Sequence, residues 1–187
     1  MIKRFFDITL SLLGLSVLLL PMVIIAIIIK LTSRGPAIHF SKRVGKNNKL
    51  FLMPKFRSMF IEAPQVATHL LKNTESFVTP VGQFIRKTSL DELPQFFSVI
   101  KGDMSLVGPR PALFNQHDLV QLRTQKGVDQ LRPGVTGWAQ VNGRDDLPIP
   151  IKVDYDFEYL NNMNVFFDFK ILFLTVFKVL KSDGIKH

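Results

Sequence analysis

Residues Ile8 to Ile29 run without a charged side chain, and no other stretch limits the fold so tightly. At about 1.5 Å per helical residue the run is long enough to cover the roughly 30 Å hydrocarbon core of a bilayer. It exceeds the apolar segment of a cleaved signal, ordinarily about 7 to 15 residues, and no small-x-small site precedes the basic stretch. A buried core helix is the alternative. Two features argue against a simple crossing. Lys3 and Arg4 precede the run while Lys30 and Arg34 follow it, and cations at both ends place both on the cytoplasmic side. Pro21 lies inside the run, where it cannot donate to the carbonyl of Val17 and so bends or breaks a helix. A re-entrant helix over residues 1–34, entering one leaflet and returning, satisfies both.

Composition supports contact with lipid. Hydrophobic residues make up 47% of the 187-residue chain and Phe occurs 17 times, more than the core of one small domain absorbs. There is no cysteine, which excludes a disulfide framework and a thiolate metal site. His39, His69, His117 and His187 lack the spacing of a histidine metal cluster. The net charge of +9 is uneven: before Glu62 the only acid is Asp7, against a series of cations from Lys3 to Arg57. Such a half is suited to polyanions, whether lipid headgroups, nucleotide phosphates or nucleic acid. Nucleic acid is supported by charge alone, and the apolar run argues against it.

After Leu31 the pattern changes to short elements. Ala37–Phe40 and Leu50–Met53 read as strands around a Gly45–Asn48 turn, a small basic β-hairpin at the membrane surface. Lys55 and Arg57 flank Phe56 just beyond it. Residues 62–76 are polar with helical spacing and carry no chemical signal. Leu113–Arg123 is a helix candidate, whereas Arg132–Arg144, with its glycines and closing Asn-Gly-Arg, reads as a tightly turned loop. That loop lacks the setting of a Walker or dinucleotide motif. Val165–Lys181 is apolar with Lys170, Lys178 and Lys181 near one helical face. It reads either as a helix lying in the membrane interface or as a terminal helix packed on the core.

The chemistry concentrates in Thr88-Ser-Leu-Asp-Glu-Leu-Pro-Gln95, which sets two adjacent carboxylates in a basic chain. Pro94 suits a first helical turn, so a helix is expected to begin near Asp91, capped by Asp91 or Leu90. Successive positions point about 100° apart, so Asp91 and Glu92 can serve different atoms, one as nucleophile and one as metal ligand. Simple helix capping is the competing account. Arg86 lies close by, Arg110 projects from a Gly-Pro-Arg-Pro turn, and Arg144 closes a glycine turn. Carboxylates and stiffly held arginines beside a membrane segment suggest phosphate chemistry with a lipid partner.

Six blocks carry a resemblance: Lys55-Phe-Arg-Ser-Met59, Ser89–Gln95, Lys101–Ser105, Gly108-Pro-Arg-Pro111, Arg132–Gly137 and Ala139–Arg144. In order and spacing they resemble the bacterial sugar transferases, small monotopic phosphoglycosyl transferases that initiate capsule, O-antigen and glycoprotein glycans. The resemblance runs from the first residues to about Lys181, and the length is similar to that of minimal members without an extra N-terminal domain. It implies transfer of a phosphosugar from a UDP-sugar to undecaprenyl phosphate, with release of UMP, at the cytoplasmic face of a bacterial inner membrane. It also implies Asp91 as nucleophile forming a covalent phosphosugar, and Glu92, with Asp91, as the Mg²⁺ site. Lys55, Arg86, Arg110 and Arg144 would bind phosphate, with Asp156 and Asp168 in supporting roles. The donor most resembles an N-acetylated deoxyamino sugar such as UDP-N-acetylfucosamine. One departure is Leu20-Pro21, where many members carry Ser-Pro; Ser16 is then the hydroxyl to satisfy the freed carbonyl. A silent membrane scaffold and a polyprenyl phosphatase are the rival readings. The expected fold is α+β and mostly helical, with the re-entrant helix, the hairpin, interfacial amphipathic helices, and a catalytic domain over residues 35–187.

Overall fold

In the computed structural model, which describes residues 2–63, 77–143 and 146–181, the apolar run forms α1 (Ile2–Thr32). One stripe of α1, Asp7, Ser11, Met22, Ile25 and Ile29, is buried against the rest of the protein. The opposite side exposes Leu12, Leu13, Val17, Leu19, Leu20, Ile24 and Ile27, a contiguous apolar surface of the kind that meets lipid or another protein. Only 17% of its most apolar stretch is buried, which disfavours the alternative of a core helix. The helix continues through Pro21, and Ser16 donates to the Leu13 carbonyl at 2.8 Å. Ser16 therefore does not satisfy the Val17 carbonyl, contrary to expectation.

The hairpin is present and longer than its apolar cores suggest. β1 (Ile38–Val44) and β2 (Leu50–Phe56) pair antiparallel from Ile38 opposite Phe56 to Val44 opposite Leu50. The turn is closed by Asn47 and Asn48 at φ 53° and 58°, a conformation that Asn tolerates better than most side chains. Met53 and Phe56 face inward, while Phe40, Leu50 and Leu52 stay exposed.

α2 (Pro80–Lys87) starts at Thr79, whose hydroxyl accepts from Gly82 N at 2.9 Å. α3 (Gln95–Lys101) ends at Gly102, whose φ of 102° stops it. β3 (Ser105–Val107) then pairs parallel with β4 (Gly134–Thr136). This corrects the reading of Arg132–Arg144 as a loop without regular structure, since it contains β4 and the short helix α5 (Trp138–Val141) after α4 (His117–Gln125). The glycines are the reason. A Cβ at Gly134 would lie 2.2 Å from Gly108 N and one at Gly137 2.0 Å from Gly108 O, so only bare backbone lets these segments approach closely enough to pair. The helix expected from Leu113 begins at His117, because Gln116 Oε1 takes the Leu113 amide at 2.8 Å.

α6 (Ile149–Asn162) and α7 (Val165–Lys181) complete the body. Ile171 of α7 sits in the main core with Met53, Val99, Met104, Leu106, Val107, Val141 and Tyr159. Its outer side exposes Phe166, Phe169, Phe173, Val176 and Phe177. Of the two readings of this helix, packing on the core is met on the Ile171 face, while the other face presents aromatics to the outside. Lys170 lies 5.3 Å from the Trp138 ring centroid, and the Lys181 side chain lies outside the described residues. A second core cluster joins Met22, Ile25 and Ile29 of α1 to Phe56 and Ile85.

Candidate active site

The acidic pair lies just ahead of α3. Thr88 N and Ser89 N close the end of α2 on the Phe84 and Arg86 carbonyls at 3.1 Å each, and Ser89 turns the chain at φ 57°. Leu90–Glu92 then form a single 3₁₀ turn, and the α-helix begins only at Gln95 with Pro94 at its cap. The expectation that the helix starts at Asp91 is corrected accordingly, and neither Asp91 nor Leu90 caps it. Each amide here reaches back three residues: Glu92 to Ser89, Leu93 to Leu90, Phe96 to Leu93. A proline has no N–H to convert that tight winding into an α-turn.

β2 supplies the cation that holds the pair. Lys55 Nζ donates to Glu92 Oε1 at 2.6 Å and lies 3.8 Å from Asp91 Oδ2. Arg110 Nη1 reaches the same Glu92 oxygen at 3.4 Å. Asp91 is 9% exposed. Burial pushes its carboxyl above the ordinary carboxylate range; Lys55 opposes this, Glu92 adds to it, and Arg110 and Arg86 pull down. Across the hairpin from Lys55 stands His39, held below the usual imidazole value by burial, Arg43 and Lys55, and therefore neutral at pH 7.

The structure thus brings Lys55, Asp91, Glu92 and Arg110 together, with Arg86 near enough to act on Asp91 electrostatically. Arg144 lies outside the described residues. Asp156 reaches the site only indirectly: buried, it accepts from Arg123 Nε at 2.9 Å and Nη2 at 2.7 Å. Burial raises its carboxyl and Arg123 opposes that. Asp168 pairs elsewhere, accepting from Lys3 Nζ and from the Tyr159 hydroxyl at 2.6 Å each. Burial and Asp168 push that phenol well above its ordinary value.

Among the described residues no group of three or more His, Asp or Glu side chains could hold a metal. The pair nevertheless fits Mg²⁺, which ordinarily takes one or two protein carboxylates and completes its shell with water and substrate phosphate. Asp91 Oδ2 lies beyond hydrogen-bonding distance of Lys55 at 3.8 Å, so that ammonium does not occupy it.

In the sequence Arg4, Asp7 and Arg57 stand out only as charges and Arg123 only as the end of a helix; what each of them holds is seen in the structure. Arg4 donates to the Val99 and Ile100 carbonyls at 2.6 and 2.8 Å, closing the end of α3. Asp7 accepts from Ser105 Oγ at 2.9 Å and Leu106 N at 3.1 Å. Arg57 donates to the Ser33 carbonyl at 2.8 Å and to the Arg34 carbonyl. A signal for Asp7 was available, since it is the only acid before Glu62.

A family model described as bacterial sugar transferase matches residues 1–182. The chain belongs to that family. It is 40% identical over 201 residues to the undecaprenyl-phosphate galactose phosphotransferase of Salmonella typhimurium, covering 98% of this chain and 41% of the relative. It is 43% identical over 186 residues to the UDP-glucose:undecaprenyl-phosphate glucose-1-phosphate transferase of Escherichia coli, covering 95% and 40%. This bacterial sugar transferase therefore spans less than half the length of those two relatives. It matches 91% of the sugar transferase EpsL of Bacillus subtilis at 39% identity over 188 residues.

Proposed function

We propose that this protein is a phosphoglycosyl transferase at the cytoplasmic face of a bacterial inner membrane, moving a sugar 1-phosphate from a UDP-sugar to undecaprenyl phosphate. The observation that carries the reading is the buried Asp91 with its part-buried neighbour Glu92, held by Lys55 beside Arg110, in a member of this family. Names of relatives that specify undecaprenyl phosphate and galactose or glucose support the substrate classes.

In the first half-reaction a carboxylate oxygen of Asp91 attacks the sugar-bearing phosphorus. The bond from that phosphorus to the bridging oxygen breaks, and UMP leaves with the electron pair. In the second, a phosphate oxygen of undecaprenyl phosphate attacks the same phosphorus and Asp91 departs as a carboxylate. Burial strips water from Asp91 and makes its ionised form more reactive. Lys55, Arg86, Arg110 and Arg144 offset the charge of diphosphate and acceptor. Mg²⁺, held by Glu92 with Asp91 beside it, would supply further neutralisation of the diphosphate.

The exposed apolar side of α1 and the outward phenylalanines of α7 would rest in the phospholipid, with residues 35–187 on the cytoplasmic side. The test is nucleotide release by the protein in lipid nanodiscs, with undecaprenyl phosphate, Mg²⁺ and a panel of UDP-sugars that includes UDP-N-acetylfucosamine. UMP from one donor is expected. Release of UDP would refute the nucleophile, inorganic phosphate would indicate a phosphatase, and silence across the panel would favour a scaffold.

A further inference from the structure

The turn that carries Arg110 is held by its carbonyls. Pro109 and Pro111 have no N–H, so the backbone from Pro109 to Ala112 is fixed chiefly through what its oxygens accept. Each of the four is taken. Gly134 N donates to the Pro109 carbonyl at 2.9 Å and Val44 N to the Ala112 carbonyl at 2.9 Å. Arg43 Nη1 donates to the Pro111 carbonyl at 3.2 Å, and Arg123 Nη1 to the Arg110 carbonyl at 2.8 Å. Of these donors Arg123 bonds the residue that points at Glu92, and it is itself buried. Its Nε and Nη2 are committed to the buried Asp156, so the guanidinium is a rigid bridge from α6 to the backbone of Arg110.

We propose that Arg123, aimed by Asp156, is a positioning residue for Arg110: it fixes the backbone from which the Arg110 guanidinium reaches the Asp91–Glu92 site. This rests on the phosphoglycosyl transferase reading. It also gives Asp156 a physical role at a site it does not touch. Lysine cannot replace the bridge, because a single ammonium cannot both grip the carboxylate and reach the carbonyl with a fixed fork.

The experiment is a double-mutant cycle on the full chain in nanodiscs, reading UMP release for Arg123→Lys, Arg110→Ala and the pair. Misplacement of a substrate-gripping group by about 1 Å costs on the order of 100-fold, so Arg123→Lys is expected to lower kcat/KM by about 10- to 100-fold. The loss should divide between kcat and donor KM as it does in Arg110→Ala. In the Arg110→Ala background the further loss should shrink to within about twofold. An equal factor in both backgrounds would overturn the proposal. Should Arg123→Lys not fold, Arg123→Met with Asp156→Leu removes the bridge without leaving a buried charge, and the same cycle applies. Hydrogen exchange across residues 106–113 is read on the same proteins. Faster exchange there in the variant supports the bridge, and unchanged exchange overturns it. If the unsubstituted protein releases no UMP, the parent reading falls while the exchange result still decides whether Arg123 holds the turn.

Discussion

Replacing Lys55 with methionine removes the ammonium between the two carboxylates while keeping a side chain of similar length. Lys55 Nζ lies 2.6 Å from Glu92 Oε1 and 3.8 Å from Asp91 Oδ2. Unit charges at that longer distance interact by about 4 kcal/mol at an effective dielectric constant near 20. Glu92 shares the same cation and Arg110 remains, so Asp91 loses only a part of this. Loss of that attraction moves the Asp91 carboxyl further up, because Lys55 is the largest influence that opposes its burial. Burial already holds Asp91 high, and in the proposed reaction the ionised carboxylate is the form that would attack phosphorus. The acidic limb of kcat/KM should therefore move to higher pH, with the alkaline plateau lowered further if Lys55 also grips phosphate. The assay is UMP release between about pH 5 and 9, within the span of ordinary and perturbed carboxylates. A uniform loss at every pH, with the limb unmoved, would show that Lys55 meets only substrate and that the tuning argument is wrong.

Other consequences are more direct. Asp91→Asn should abolish turnover yet raise apparent Tm at neutral pH, because a carboxyl whose folded pKa is raised stabilises fully only below its unfolded value. That gain should vanish as pH falls below about 3.9, where both proteins are neutral at this position; thermal melts across pH check it. Glu92→Gln should weaken the Mg²⁺ dependence of UMP release, read from a metal titration, and near-native turnover in both variants would overturn the site. Arg4→Met should uncap α3, costing about 1 to 2 kcal/mol and lowering Tm by about 2 to 8 °C, which differential scanning would detect.

The apolar run, the hairpin and the carboxylate pair were legible because each is local: hydropathy, a turn and neighbouring residues announce themselves within a short window. The start of α3 was misplaced since Pro94 is compatible with either the first turn of a helix or the residue before it, and Ser89's left-handed geometry decides between them. β4 was hidden in a glycine loop because its glycines serve a contact with Gly108, more than twenty residues away, and composition alone reads such glycines as turn-formers. Arg123 looked like the end of an amphipathic helix. Its partners, Asp156 and the Arg110 carbonyl, are set by packing of α4 on α6, which no periodicity in either segment encodes.

The same long-range contacts bear on how α1 would meet a membrane. Near its start, Arg4 and Asp7 are bound to the end of α3 and to β3; at its far end, Arg57 holds the Ser33 and Arg34 carbonyls. α3 and β2 share one core through Val99 and Met53, so both ends of the helix are fastened to a single body. A helix of 31 residues would be about 46 Å long if straight. Were it to cross the bilayer, one of these polar anchors would face the opposite side from the other, with the charged site carried into hydrocarbon between them. Entry and exit on one side avoid that cost. The chain has no cysteine, so single cysteines at Ile2 and Arg34, both exposed, can be labelled cleanly in sealed vesicles of known orientation. Both should react with an impermeant maleimide from the cytoplasmic side alone. Labelling of the two positions from opposite sides would refute the monotopic arrangement, and with it the placement of the Asp91 site at one membrane face.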